Sequence, residues 1–139
     1  MTSTLPHGQC QCGAVRFRLN GEPIETYVCH CRECQKQSSS AFGISVIVQG
    51  GDLQLLQGSP KQWARRTDTG GMLDCYFCPE CGSRLWHIGN DNPDRVSVKG
   101  GTLDTAPDLS EVAHIWTIRR LDGVIIPDGV PTYKKEPPR

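Results

Sequence analysis

No stretch of this chain stays apolar for the roughly 20 residues that a membrane-spanning helix needs. The first residues, Met1-Thr-Ser-Thr-Leu-Pro-His7, contain no apolar h-region. No membrane span and no signal peptide are therefore expected, and the expected compartment is the cytoplasm. Charge of one sign is also missing. Fifteen acidic and fifteen basic residues cancel, which removes the electrostatic footprint of a nucleic-acid binder. There is no glycine-rich phosphate loop, and no apolar pattern of helical period long enough for a helix of more than about two turns. Aromatic residues make up only 6% of the chain, so the core that can form is modest.

What the sequence does have is turn residues and thiols. Its 139 residues predict one domain, 1–139. Ten prolines and fifteen glycines imply many turns around a small core, the setting in which a structural metal adds folding free energy. Eight cysteines in a cytoplasmic chain point to metal or catalysis before disulfides. A disulfide framework is the alternative, but a Cys-x-Cys pair has poor geometry for a bridge.

Strand patterns dominate. Val15, Phe17 and Leu19 alternate with Arg16 and Arg18, the period of a half-buried strand over 13–19. Asn20-Gly21 is a hairpin signal, followed by a strand over 24–29. Residues 30–40 read as a polar turn with about one turn of helix. Further strands are expected over 41–48, 53–56, 62–66, 73–77, 84–88, 95–99 and 112–119. Residues 1–8 read as a loose end, and the proline-rich tail 127–139 as a surface strap. The fold class is mainly β with short helical turns.

Seven of the eight thiols fall into three clusters: Cys10-x-Cys12, Cys29-His30-Cys31-x-x-Cys34 and Cys78-Pro-Glu-Cys81-Gly82. The last has the form of a zinc knuckle, whose two-residue spacer lets both sulfurs reach one metal. A closed tetrahedral site needs two more ligands. Cys10 and Cys12 could supply them across the sheet; the rival pairing joins the knuckle to the middle cluster. If Cys10, Cys12, Cys78 and Cys81 form one structural site, then Cys29, Cys31 and Cys34 form a second with an exchangeable fourth position, the pattern of a catalytic zinc. Three thiolates make such a centre a weak Lewis acid but a good acceptor for a small thiol. Arg32 and Lys36 could offset its charge or hold a carboxylate. The alternative is a second structural zinc, with His30 as an awkward fourth ligand.

Outside the clusters, Cys75 reads as a small buried thiol. His87 and His114 read as core or supporting groups, and Trp63, Trp86 and Trp116 as core or pocket wall. Ser38, Ser39 and Ser40 have no acid–base partner by spacing.

Taken together, Gly8-x-Cys10-x-Cys12-Gly13-x-Val15-x-Phe17, Cys29-His30-Cys31-x-x-Cys34 and Phe77-Cys78-x-x-Cys81-Gly82 resemble the glutathione-dependent formaldehyde-activating enzyme family, which includes the centromere protein V-like proteins. His114-Ile-Trp116 and Pro127-Asp-Gly-Val-Pro131 are similar to its C-terminal features. The resemblance implies a Mss4-like, zinc-built β fold with two Zn²⁺ per chain. It places a structural zinc on Cys10, Cys12, Cys78 and Cys81 and a catalytic zinc on Cys29, Cys31 and Cys34, with Cys75 outside the motif. The implied activity is carbon–sulfur lyase chemistry on S-hydroxymethylglutathione, with glutathione and formaldehyde as partners. His30 and Glu33 are acid–base candidates by proximity. The alternative function is a non-catalytic zinc module that binds a partner through its sheet. Family members often carry glycine in the loop where this chain has Ser39 and Ser40.

Overall fold

The structure is a computed structural model that describes residues 5–138. Ten strands and one α-helix follow in the order β1 His7–Gln9, β2 Arg16–Leu19, β3 Glu25–Cys29, α1 Arg32–Ser38, β4 Gly43–Gln49, β5 Leu53–Gln57, β6 Lys61–Arg66, β7 Met72–Phe77, β8 Arg84–Gly89, β9 Arg95–Lys99 and β10 Ala113–Ile115. They form a three-stranded sheet, β1-β2-β5, and a seven-stranded sheet, β10-β3-β4-β9-β8-β7-β6. All pairs are antiparallel except β10 with β3. The mainly β expectation holds.

The core lies between the sheets and follows the alternation in the sequence. Val15, Phe17 and Leu19 point inward from the small sheet and meet Val46, Val48, Leu85, Trp86, Val96 and Val98 of the large one. Phe17 and Trp86 pack edge to face at 5.5 Å and 75°. Each such side chain contributes about 1.5–3 kcal/mol by leaving water.

Three expectations change. Of the loose end expected over 1–8, residues 1–4 lie outside the described range. His7 and Gly8 belong to β1, where a Cβ on Gly8 would overlap the Phe17 ring. Asn20-Gly21 does not close a hairpin: β2 and β3 lie in different sheets. The Asn20 amide instead donates to the Asp52 carbonyl at 2.7 Å, which ties this crossing to the turn before β5. The turn at Gly58-Ser59-Pro60 also crosses between sheets. Gly58 has φ +91°, and a Cβ there would collide with the Ala14 carbonyl. Finally, the strand expected over 112–119 stops at Ile115, because Trp116 is left-handed, φ 56°. The tail holds it there: its amide donates to the Lys135 carbonyl at 3.1 Å and its indole to Glu136 at 2.9 Å.

The outer face of the large sheet positions the functional residues. Pairing aligns Trp63, Cys75, His87 and Ser97 in one row across β6–β9, with Lys99 opposite Ser45. The β7–β8 register shifts beside Leu85, so Leu85 and Trp86 both face the core. Such a bulge re-aims its neighbour, and Arg84 turns outward to within 3.1 Å of His87 Nε2. Helix α1 covers part of this face.

Candidate metal centres and cleft

The turn after β1 carries Cys10 and Cys12; the turn between β7 and β8 carries Cys78 and Cys81. A hydrogen bond from the Gln11 amide to the Ser83 hydroxyl, 2.9 Å, joins the two turns. Gly82, at φ +82°, lets the second fold back on itself, with its amide donating to the Cys78 carbonyl at 2.8 Å. The four sulfurs lie within 4.8 Å of one another and could hold a metal ion. Cys10 to Cys12 is 3.7 Å and Cys12 to Cys78 is 3.8 Å. A tetrahedron with metal–sulfur bonds of about 2.3 Å has edges of about 3.8 Å, so the donor set fits zinc. Amides of Val15 and Glu80 donate to the Cys10 and Cys78 sulfurs at 3.2 and 3.4 Å, which favours thiolates. Hydrogen bonds from the Ser83 hydroxyl and amide, with the Cys12 amide, hold the Cys81 thiol down at about 5. The knuckle therefore pairs with Cys10 and Cys12, not with the middle cluster.

Cys29 ends β3, Cys31 caps α1 and Cys34 lies in its first turn. The Cys31 sulfur accepts the Cys34 amide at 3.3 Å, taking the place of the usual capping oxygen. The three sulfurs lie within 4.8 Å of one another and could hold a second metal ion. No further histidine, cysteine or acidic ligand atom joins them among the described residues. Hydrogen bonds from the Cys29 and Cys34 thiols, helped by the amides of Cys34 and Glu33, outweigh burial and pull the Cys31 thiol down to about 2. Cys31 and Cys34, then burial, push Cys29 up; Cys29 lowers the Cys34 thiol, but Cys31 and burial outweigh it and raise that thiol to about 11. The set thus favours one thiolate, at Cys31, beside two thiols. Below it, Gly43 makes room: a Cβ there would lie 3.1 Å from Cys34 Cβ and 3.4 Å from its sulfur.

His30 is fully buried and turned to His114. Its Nε2 is 2.8 Å from His114 Nδ1, and the rings stack at 5.1 Å. Burial, then His114 and Arg120, lowers its pKa to about 4. Neither histidine joins a thiol set. Arg32 lies with Gln35 and Arg119 along a different groove, so Lys36 alone of the two expected cations lines the cleft beside Cys34.

That cleft holds about 200 Å³ between α1 and the sheet, with Lys36, Trp63, Arg65, Arg84 and His87 around Cys34. Arg84 sits 5.8 Å from the centre of the Trp63 ring, and Arg65 pairs with Glu33 at 3.2 Å across the mouth. A second hollow of about 470 Å³ shares Gln37 and Arg84 with it and reaches Lys99. Sequence reasoning did not single out Arg65, Arg84 or Lys99. Their positions in strand patterns look solvent-facing until α1 is laid over them.

Known proteins resemble this chain in sequence and fold. A protein from Halomonas elongata, provisionally named a glutathione-dependent formaldehyde-activating enzyme, is 27% identical over 128 residues, covering 88% of this chain and 81% of that protein. A Rhodobacter sphaeroides protein of known crystal structure superposes with a TM-score of 0.61 at 25% identity, covering 78% of this chain and 98% of that one. The sequence profile described as "Glutathione-dependent formaldehyde-activating enzyme" matches residues 5–119. With both thiol sets assembled inside that span, the chain belongs to the glutathione-dependent formaldehyde-activating enzyme family.

Proposed function

We propose that the protein is a zinc-dependent carbon–sulfur lyase-type enzyme that forms or cleaves S-hydroxymethylglutathione from glutathione and formaldehyde. Cys10, Cys12, Cys78 and Cys81 hold a structural zinc, and Cys29, Cys31 and Cys34 hold a second one. The observation that carries this reading is the asymmetry of the two sets. Four thiols close the first, whereas the second has three, and Cys34 borders a cationic cleft. Zinc bound there would supply a soft cationic centre at which an incoming thiol loses its proton at neutral pH.

The chain's own residues supply the rest. Glutathione carries two carboxylates, and Lys36, Arg65 and Arg84 offer charge-assisted donors for them around Cys34. Trp63 gives an apolar wall beside Arg84. Holding the thiol and the aldehyde together turns a bimolecular encounter into a local one. The sulfur lone pair forms the bond to the aldehyde carbon as the carbonyl π pair moves to oxygen; in reverse, the carbon–sulfur bond breaks and the thiolate leaves. Glu33, an acid–base candidate by proximity, is engaged by Arg65. His30 faces His114 and is not among the residues that line the cleft.

Cobalt substitution tests the reading. Titration with glutathione should give a saturable change in the thiolate-to-cobalt bands, and Cys31→Ala should lose both that change and turnover while the fold persists. Full turnover in Cys31→Ala would sink the mechanism. An unresponsive second site would favour the non-catalytic zinc module.

A further inference from the structure

His30 stands between two thiols of the three-thiol set, and most of its polar groups are held by other segments. Its amide donates to the Ile115 carbonyl at 3.0 Å. Its carbonyl accepts from the Gln35 side chain at 2.8 Å, and the same nitrogen of Gln35 donates to the Arg119 carbonyl at 2.9 Å. Its Nε2 meets His114 Nδ1 at 2.8 Å, across 84 positions of sequence. Two neutral rings suffice for that bond, one donating and one accepting. His114 is itself fixed: its amide donates to the Pro131 carbonyl and its carbonyl accepts the Tyr133 amide, each at 2.9 Å. Strand β10 is thus clamped between the thiol-bearing turn on one side and the tail on the other.

The choice of residue is informative. His30 is fully buried, yet its Nδ1 has no hydrogen-bond partner among the described residues. A buried polar atom left unpaired is destabilising, and a leucine would fill the same space without one. What histidine adds here is the bond to His114. Neither ring joins a thiol set, so the bond acts on the sulfurs through the backbone. Cys29 ends β3 and Cys31 caps α1. His30 is the single residue between them, and any rotation of its peptides changes the separation of both sulfurs.

Resting on the reading of a zinc at Cys29, Cys31 and Cys34, we propose that His114 is a positioning residue for that metal. Its hydrogen bond to His30 locks the turn onto β10 and holds Cys29 and Cys31 where one ion can meet both. A set of three thiols has no fourth protein ligand to fix its geometry, so the turn needs support from outside. The four-thiol set draws on none of these bonds, which confines the effect to the second metal.

The test uses the full chain, stripped of metal and titrated with zinc against a chelator, in wild type, His114→Leu and His114→Asn. Cobalt loading gives the difference spectrum on filling the second site. Leucine fills the space with no polar atom, whereas the asparagine amide reaches the place of Nδ1. His114→Leu should bind the second metal at least about tenfold more weakly, shift its cobalt d–d bands and keep the four-thiol metal within about threefold of wild type; His114→Asn should return the second metal to within about threefold. The role is overturned if His114→Leu binds the second metal as wild type does, whatever its urea midpoint. It is also overturned if both metals weaken together, since general loosening then explains the loss, or if His114→Asn is no better than His114→Leu, since packing rather than the bond then matters. Should His114→Leu fail to fold, His30→Phe decides, because it keeps a ring beside Phe42 and removes Nε2: a weaker second metal supports the role, and wild-type affinity removes it. A wild-type chain that takes up only one metal would refute the second-zinc reading itself, an outcome distinct from a second metal that binds and is indifferent to His114.

Discussion

Gly43 offers a direct way to disturb the second thiol set without touching a thiol. Its φ is not in the left-handed region, so alanine meets no backbone strain. The added Cβ would lie 2.8 Å from Gln37 Nε2, 3.1 Å from Cys34 Cβ and 3.4 Å from Cys34 Sγ. The Gln37 amide can swing aside, but Cys34 is fixed in the first turn of α1. Restoring a carbon–carbon contact of about 3.6 Å moves that turn by about 0.5 Å. Metal sites tolerate about 0.2 Å in ligand distances, so the displacement exceeds what the site absorbs. Overpacking costs about 1–3 kcal/mol, partly offset by about 0.4–1 kcal/mol from the lower entropy of the unfolded chain. Gly43→Ala should therefore fold, keep the metal of the four-thiol site and bind the second at least about tenfold more weakly, about 1.4 kcal/mol. Chelator competition with a metal count on each protein measures this. Gly101→Ala is the control, because nothing lies within 4 Å of a Cβ built there. Equal affinity for the second metal in Gly43→Ala and wild type would refute the packing argument.

Three further outcomes are expected. Arg84→Met removes a charged donor from the cleft wall and should weaken glutathione binding about tenfold or more, from the roughly 1.5–3 kcal/mol of a charge-assisted bond. Both metals should remain, and an unchanged cobalt titration would count against the cleft as the carboxylate site. Ser39 caps the end of α1 in the left-handed region, φ 53°. There glycine avoids a penalty of about 1 kcal/mol, so Ser39→Gly should raise the urea midpoint, and a lower midpoint would contradict this account of the loop. The third outcome concerns pH. His30 has a folded pKa of about 4, lowered first by burial and then by His114 and Arg120. The unfolded chain, with a histidine near about 6.5, binds more protons between pH 4 and 6.5, so stability rises with pH across that window and is lost on acidification. Urea midpoints should fall more steeply with acid in wild type than in His30→Gln; parallel curves would remove His30 as the source.

Much of this protein is local, and local features are legible in sequence. The alternation of Val15, Phe17 and Leu19 with Arg16 and Arg18 states which side of β2 is buried, because successive side chains in a strand face opposite ways. The two-residue spacer of Cys78 and Cys81 and the tight cluster at Cys29, Cys31 and Cys34 state that sulfurs converge, because short spacers bring ligands to one point whatever the rest of the chain does. The family's motifs pointed from those residues to two metal sites.

What spacing could not decide is which turns meet. Cys12 reaches Cys78 across 66 positions only because the β1–β2 turn of one sheet meets the β7–β8 turn of the other. The same holds for turns: Asn20-Gly21 has hairpin chemistry, yet β2 pairs with β1 and β5 and not with β3, and the Asn20 amide bonds to Asp52 beside β5. Most of the cleft was hidden for a related reason. Arg65 and Lys99 alternate away from the core, which in an uncovered sheet means solvent, and Arg84 does so only through the bulge at Leu85. Once α1 lies over that face, with Gly43 admitting Cys34, those residues become the wall and floor of a site. Sequence by itself determined most of the strands, the thiol clusters and the family. Tertiary packing decided which sets are whole, which face is covered and which cations surround the open thiols, because those depend on contacts between segments far apart in the chain.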